Sequence, residues 1–281
     1  MTSHSELTSP FICGKYQLQL SRPHVMGIVN VTPDSFSDGG KYTSTQAAVS
    51  HALTLIAEGA DILDIGGEST RPGAAPVPLD EELSRVIPVI EALKGVSTVP
   101  LSIDTYKPEV MRQAIAAGAD MVNDVRALQE PGALDVVMNT NVGICLMHMQ
   151  GNPQTMQMAP HYEDVLVEVG KFLADRLRAC ISHGIAKNRI ILDPGFGFGK
   201  TREHNIRLIQ QLEKLHNIGQ PLLVGLSRKS VLGAIAGGDE NQRLYASIAA
   251  SVISAMKGAK IVRVHDVKAT VDALKVVAAI L

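Results

Sequence analysis

Three polar residues occupy the same place in three copies of one sequence pattern. Asp64, Asn123 and Arg263 each follow a glycine by five residues, and the residues between are short, mostly apolar runs typical of buried strands. Because a repeated strand–helix scaffold collects side chains from several strand ends, the pattern predicts that such groups build one site. The segments are AEGADILDIGGES (57–69), AAGADMVNDVRA (116–127) and MKGAKIVRVHDV (256–267).

Arg263 and His265 indicate a site for an anion. They alternate on one predicted strand, so their side chains point the same way. Asn30 ends the first predicted strand, which neighbours the last one if the sheet closes into a barrel. A guanidinium fork matches phosphate oxygens, and an Asn carbonyl can bind Mg²⁺ beside a substrate phosphate. The alternative is an ion pair of Arg263 with Asp266 or another nearby carboxylate.

A second group of polar residues ends other strands. Asp104, Asn123, Asp193 and Lys229 close the third, fourth, sixth and seventh predicted strands. A carboxylate accepts hydrogen bonds from two parallel N–H donors. One carboxylate with an Asn is therefore suited to the edge of an aminopyrimidinone such as a pterin.

Structural roles remain open for the two aspartates. Asp104 and Asp193 could cap the helices that follow them, or pair with Lys107 and Lys200. Capping fits Asp104 better than Asp193, because Asp193 precedes a proline and a glycine-rich loop.

The aromatic residues are few and unusually placed. The chain has no Trp and five Phe, and three of those, Phe36, Phe196 and Phe198, lie in Gly- or Ser-rich loops. Together they favour stacking on a flat ligand over packing at the top of a barrel.

The polar and aromatic residues named above must be positioned by strands and helices. The sequence shows short apolar runs, typical of strands, alternating with amphipathic helical patterns. Glycines at 59, 118, 184 and 258 stand where helices should stop. The clearest helical stripe lies within 162–183 and includes Phe172 and Ile181. The predicted strands are 25–30, 61–65, 99–104, 120–124, 142–147, 189–193, 221–226 and 260–264.

Eight strands alternating with helices predict a (β/α)8 TIM barrel, formed as a single domain over residues 1–281. A doubly wound open sheet is the rival fold. Residues 11–20 predict a short N-terminal strand pair that plugs the bottom of the barrel.

Composition excludes several classes of protein. A net charge of −2 gives no indication of a nucleic-acid partner, and 46% apolar residues exclude disorder. The three cysteines have no paired spacing; Cys145 and Cys180 are expected to be buried thiols. No signal peptide, membrane helix, Walker loop, GxSxG elbow or HExxH motif is visible, so we expect a soluble cytoplasmic protein without a nucleophile–base relay.

Seven strings in order, from about Met26 to the C-terminus, resemble the dihydropteroate synthase family. The strings are NVTPDSFSDGG, GGESTRPGA, DTYKPEV, LMHMQGNP, LDPGFGFGK, LVGLSRKS and RVHDV. The resemblance implies a barrel enzyme of folate synthesis, forming a homodimer. It would join 6-hydroxymethyl-7,8-dihydropterin diphosphate to p-aminobenzoate, releasing pyrophosphate and 7,8-dihydropteroate.

The resemblance also implies residue roles. The diphosphate would be held by Arg263 and His265, with Asn30 binding its Mg²⁺. The pterin would be contacted by Asp104, Asn123, Met147, Asp193 and Lys229. The p-aminobenzoate pocket would be shaped by Phe36, Thr70, Arg71, Pro72, Phe198 and Ser230. Catalysis would rest on Asp104, Lys229, Arg263 and His265.

Two expectations concern alternatives and loops. One alternative is a pterin-binding methyltransferase barrel, which would share the pterin-contacting residues but needs no residues that bind a diphosphate. The other is a non-catalytic pterin or phosphate binder on the same scaffold. The loops 31–41 and 67–77 are expected to be mobile without ligand, so that pterin diphosphate binds before p-aminobenzoate.

Overall fold

The computed structural model describes residues 9–32, 41–71, 73–239 and 242–280, with only the backbone of 41–44. Phe36, Pro72 and most of the loop 31–41 lie outside the described residues.

Eight parallel strands form the centre of the fold, preceded by an antiparallel pair. The sheet order is β8-β7-β6-β5-β4-β3-β10-β9, and a parallel bridge between Leu192 and Leu222 joins its two edges. The backbone N–H of Leu192 also donates to the carbonyl of Pro221 over 3.0 Å. The sheet is therefore a nearly closed barrel, which confirms the predicted fold over the open-sheet rival. The strands are β1 Phe11–Cys13, β2 Tyr16–Leu18, β3 His24–Asn30, β4 Ile62–Gly66, β5 Leu101–Asp104, β6 Met121–Asp124, β7 Gly143–Met147, β8 Ile190–Asp193, β9 Leu223–Val224 and β10 Ile261–Val264.

Helices cover the outside of the barrel. Gly59, Gly118, Gly184 and Gly258 all adopt positive φ at or just after helix ends, as predicted, because only glycine does so without strain. No helix within the described ranges is long and apolar enough to cross a membrane. The helices are α1 Lys41–Ala57, α2 Leu79–Lys94, α3 Pro108–Ala117, α4 Ala133–Met138, α5 Val165–Ser182, α6 Arg202–Gln210, α7 Ser230–Ala236, α8 Leu244–Met256 and α9 Val267–Ile280.

The N-terminal strand pair plugs the barrel. Phe11 and Cys13 are buried and pack against the inward-facing residues at the lower ends of the barrel strands. This confirms the predicted position of the plug, and all three cysteines are buried as free thiols. The inward-facing residues are Met26, Ile62, Met121, Cys145, Ile191, Leu223 and Ile261.

Two local predictions need correction. Strand β9 has two residues rather than the six predicted over 221–226, because Pro221 has no N–H for the ladder and the chain turns away after Val224 to form the loop before α7. On α5, Ile181 is exposed while Leu177 and Cys180 are buried, so the apolar stripe is narrower than predicted.

Strand alternation decides which polar groups face the barrel interior. Side chains two residues apart on a strand point to the same face. Asp64 follows inward-facing Ile62, Asn123 follows Met121, and Arg263 follows Ile261 by that spacing. The same register brings Asn30, Asp104, Met147 and Asp193 to the carboxyl-terminal mouth.

Candidate active site

Asp64 is the centre of a buried polar network. Its side chain is 0% exposed, and Oδ2 accepts hydrogen bonds from Arg263 Nε at 2.5 Å and Asn123 Nδ2 at 3.0 Å. The three residues that share one place in the sequence pattern are therefore in direct contact. The glycine-plus-five spacing had grouped Asp64 with the other two, but no binding or catalytic role was predicted for it from the sequence.

Arg263 bridges two carboxylates. Its Nη2 donates to Asp104 Oδ2 over 2.7 Å, while Nε is held by Asp64. Burial disfavours the Arg263 cation, but the two carboxylates outweigh burial and raise its pKa above the ordinary value. Within the described part of the chain, Nη1 has no hydrogen-bond partner. The guanidinium is thus oriented on one side and available on the other.

The alternative to an anion site was an ion pair of Arg263 with Asp266 or another nearby carboxylate. The pair with Asp266 does not form, whereas pairs with Asp64 and Asp104 do. Asp266 instead accepts two hydrogen bonds from Arg228, at 2.6 and 3.0 Å, on the outer side of the strand end. The guanidinium of Arg263 consequently remains inside the barrel.

Asp104 and Asp193 have no structural role as helix caps. The residue that caps α3 is Lys107, whose ammonium pairs with Glu68 and Glu82 at 2.5 Å each rather than with Asp104. The cap of α6 is Thr201. The capping and lysine-pair alternatives are therefore wrong for Asp104.

Asp193 likewise forms no hydrogen bond with Lys200. Its Oδ1 accepts from the backbone N–H of Gly195 at 2.7 Å. Burial raises the pKa of Asp193, and raises that of Asp104 to about 7, although Arg263 opposes the shift at Asp104. In the described structure each carboxylate keeps one oxygen without a hydrogen bond, Oδ1 of Asp104 and Oδ2 of Asp193.

Lys229 lies beside the glycine-rich loop that follows β8. Its ammonium donates to the carbonyl of Phe196 and lies 4.5 Å from the centroid of the Phe198 ring. Burial lowers the pKa of Lys229 to about 8, with Asp193 opposing the shift. Phe198 is half-buried at the mouth, but Phe196 is 0% exposed in the core. The prediction that Phe196 stacks on a ligand is therefore wrong.

His265 is a neutral group. Its Nδ1 lies 3.0 Å from Ser227 Oγ, which also accepts the backbone N–H of His265 at 3.1 Å. Burial, followed by the charges of Arg263 and Arg228, lowers the pKa of His265 to about 3. The imidazole can offer a hydrogen bond to an anion, but it carries no positive charge near pH 7.

The remaining predicted residues surround this network. Asn30 ends β3 opposite Gly66, half-buried, and its amide has no hydrogen-bond partner in the described structure. Met147 is buried at the end of β7. Thr70 is half-buried; Arg71 and Ser230 are exposed on the loop after β4 and at the start of α7.

The loop after β4 contacts the loop after β7. The backbone N–H of Gly73 donates to the carbonyl of Pro153 over 3.1 Å. Arg71 lies near enough to His265 for its charge to contribute to the lowered pKa of that imidazole. The structure thus places Arg71 towards the mouth, while it brings Thr70 and Ser230 into no hydrogen bond with the buried network.

Comparison with known proteins agrees with this geometry. Residues 26–265 match the pterin-binding enzyme family. The chain is 54% identical over 264 residues to a dihydropteroate synthase of Escherichia coli (strain K12) and 52% identical over 270 residues to one of Neisseria meningitidis serogroup B, covering 94% of every chain involved.

Solved structures extend the comparison. Xanthomonas albilineans dihydropteroate synthase with 4-aminobenzoic acid superposes with a TM-score of 0.92 at 56% identity, covering 97% of this chain and 98% of that one. The same enzyme with 7,8-dihydropteroate gives 0.88 at 53% identity, covering 95% and 97%. Fold and site together define a pterin-binding barrel enzyme. Within that class, the chain belongs to the dihydropteroate synthase family.

Removal of the Asp64 charge should destabilise the barrel. Asp64→Asn takes one carboxylate from a buried guanidinium, and breaking a buried pair in this way costs about 3 kcal/mol of unfolding free energy. Urea denaturation measures the change. The matched control is Asp266→Asn, which breaks the partly exposed pair with Arg228 and should cost about 1 kcal/mol or less. Equal losses in both variants would contradict the central role of Asp64.

Proposed function

We propose that the strand-end network performs the reaction of the dihydropteroate synthase family. The methylene of 6-hydroxymethyl-7,8-dihydropterin diphosphate is transferred to the amine of p-aminobenzoate, giving 7,8-dihydropteroate and pyrophosphate. The observation that carries this proposal is the buried contact of Arg263 with Asp64 and Asp104, which holds a guanidinium beside acceptors suited to a pterin edge.

Pterin recognition is assigned to Asp104, Asn123 and Asp193. The unengaged oxygens of the two carboxylates are acceptors for the parallel N–H groups of an aminopyrimidinone. Lys229 reaches the ring, and Met147 packs beneath it. The network fixes these groups before substrate arrives, so little ordering is required on binding.

Diphosphate binding is assigned to Arg263 and His265. The unpaired Nη1 of Arg263 supplies charged donors, and the neutral imidazole of His265 supplies one more. Asn30 would hold Mg²⁺, because its amide has no protein partner and magnesium is commonly bound by few protein ligands together with phosphate oxygens. When bound, the ion would neutralise charge on the leaving group. No cluster of three or more His, Cys, Asp or Glu in the described ranges offers a rival metal site.

The chemistry requires positioning more than proton transfer. The bond between the pterin methylene and the diphosphate oxygen breaks, and its electron pair leaves with pyrophosphate. The amine lone pair of p-aminobenzoate forms the new C–N bond, and the nitrogen then loses a proton to solvent. Since an arylamine is neutral at pH 7, no strong base is needed. Arg263 stabilises the departing charge, and the pocket aligns the amine.

The p-aminobenzoate pocket is assigned to Thr70, Arg71, Phe198 and Ser230. Phe198 is half-buried beside Lys229, and the loop with Arg71 is joined to the loop after β7. These contacts support a pocket at the mouth to which an aromatic face and a cation contribute. Phe36 and Pro72 remain predicted members of this pocket.

Helix α8 supports a homodimer. Its outward face is apolar along its length, because exposed Tyr245, Ala249, Ile253 and Met256 recur at helical spacing. An apolar stripe of this kind suits an isologous contact with a second copy of the chain. The expected cytoplasmic location stays a prediction from sequence.

Turnover is the decisive test of the function. Purified protein with Mg²⁺ and pterin diphosphate should release pyrophosphate only when p-aminobenzoate is added, and 7,8-dihydropteroate should appear in equal amount. Arg263→Ala should lower the rate by roughly 10²–10³ because it removes a partner of the leaving charge. Binding of a pterin that lacks the diphosphate should weaken much less than turnover falls, because Arg263 also holds the pterin acceptor Asp104. A protein that holds both ligands without releasing pyrophosphate is a binder, and the proposal fails.

The pH profile should report Lys229. Its pKa of about 8 means that the ammonium is charged below that pH and loses its proton above it. We expect kcat/KM for pterin diphosphate to fall as the pH rises through about 8, because a charged donor to the ring is lost. Lys229→Arg keeps its charge at every tested pH. If this variant shows the same descending limb, another group is titrating.

Introducing a charged residue on the exposed face of α8 tests the proposed dimer. Ile253→Asp should convert the protein to monomers in sedimentation equilibrium, because an unpaired carboxylate cannot be buried at the contact. Val96→Asp, at an exposed apolar position after α2, is the matched control and should leave the assembly unchanged. A monomeric wild-type protein would refute the assignment.

A further inference from the structure

The loop between β8 and α6 is held by side chains rather than by secondary structure. Each carbonyl from residue 195 to residue 199 accepts a hydrogen bond from a side chain. The pairs are Gly195 O with Lys200 Nζ at 2.8 Å, Phe196 O with Lys229 Nζ, Gly197 O with Gln157 Nε2 at 2.5 Å, Phe198 O with Lys200 Nζ at 3.1 Å, and Gly199 O with Tyr162 Oη at 2.8 Å.

Lys200 is the most buried of these donors. It is 2% exposed, and its ammonium also lies 2.8 Å from His148 Nδ1 and 3.5 Å from the His148 carbonyl. None of its hydrogen-bond partners among the described residues is a carboxylate, and burial lowers the pKa of Lys200 well below its ordinary value although the charge of Asp193 opposes the shift. The ammonium therefore sits in a cage of carbonyl oxygens and one imidazole nitrogen, and it ties the loop after β8 to the end of β7.

The glycines allow the loop to approach that segment closely. Gly195 and Gly199 adopt φ of 68° and 61°. A Cβ on Gly195 would lie 1.8 Å from the carbonyl of His148, and one on Gly199 would lie 2.4 Å from that of Gln150. The backbone is consequently packed against residues 148–150, with Lys200 inserted at the contact.

Phe198 depends on this arrangement. Its side chain is half-buried. Its backbone carbonyl is one of two loop carbonyls that accept a hydrogen bond from Lys200. Asp193, in contrast, is held by strand β8 itself, although its Oδ1 also accepts from the backbone of Gly195 in this loop. A change at Lys200 should move the aromatic ring more than the carboxylate.

We propose that Lys200 is a positioning residue, whose buried ammonium fixes the loop 194–199 so that the Phe198 ring forms one wall of the p-aminobenzoate pocket. This role rests on the proposed function. It assigns to Lys200 the selection of the second substrate, through geometry and without contact to the reacting atoms.

The test compares Lys200→Ala with Tyr162→Phe, which removes the donor to the neighbouring carbonyl of Gly199. Steady-state kinetics of Lys200→Ala should show a raised KM for p-aminobenzoate and a loss of roughly 10²-fold in kcat/KM, the scale of a misplaced binding group. Affinity for 6-hydroxymethylpterin, measured by calorimetry, should change little. Tyr162→Phe should remain close to wild type in both measurements.

Added n-propylammonium replaces the atoms from Cγ to Nζ that Lys200→Ala removes. It should restore the KM for p-aminobenzoate, whereas n-propanol, of similar shape but with a single hydrogen to donate, should not. Rescue by propanol alone, equal losses of pterin affinity and p-aminobenzoate affinity, or wild-type kinetics in Lys200→Ala would each overturn the role.

Lys200→Met distinguishes loss of positioning from failure to fold, because methionine fills a similar volume without the hydrogen-bond donor. If it folds, it should show the same KM increase. If neither variant folds, Lys200 serves stability and the positioning role is overturned. Absence of pyrophosphate release by the wild-type enzyme refutes the proposed function, whereas an active wild type with a fully active Lys200→Met refutes this inference alone.

Discussion

The ion pair of Asp64 with Arg263 determines the arrangement of the whole site. Burial of two charges costs desolvation energy, so such a pair is weak evidence for stability in itself. Its consequence is geometric. One carboxylate oxygen holds the guanidinium of β10 and the amide of Asn123 on β6, and the same guanidinium then holds Asp104 on β5. Groups from four strands are fixed against one another before any ligand is present.

Burial, more than the neighbouring charges, shifts the pKa values around this pair. Burial raises the pKa of Asp104 and Asp193 and lowers that of Lys229, because a confined carboxylate or ammonium loses its hydration. His265 stays neutral beside two guanidinium groups. Under the proposed function, a diphosphate would bring negative charge into this space and favour the charged form of Lys229. Substrate binding and the protonation of the site would then be coupled.

Much of the architecture could be predicted from the sequence, since glycine stops and period-two alternation are local signals. Contacts across the barrel are not local. Asp64 lies two residues before the end of β4, below the conspicuous loop motif, so its pairing with Arg263 needed the closed barrel. Phe196 shows a second limit. Phe196 and Phe198 have strand-like spacing, but Gly197 at a φ of 81° turns the chain between them, and one ring enters the core while the other reaches the mouth.

Two lysine side chains, Lys229 and Lys200, bind carbonyls of this loop from different sides. Lys229 faces the mouth, and its hydrogen bond to the carbonyl of Phe196 must compete with any ligand that reaches the ammonium. Lys200 is 2% exposed, and it donates to the carbonyls of Gly195 and Phe198 from inside the protein. Under the proposed function, this buried anchor would keep the ring of Phe198 in place when the pterin binds Lys229, so that the pocket for p-aminobenzoate is retained.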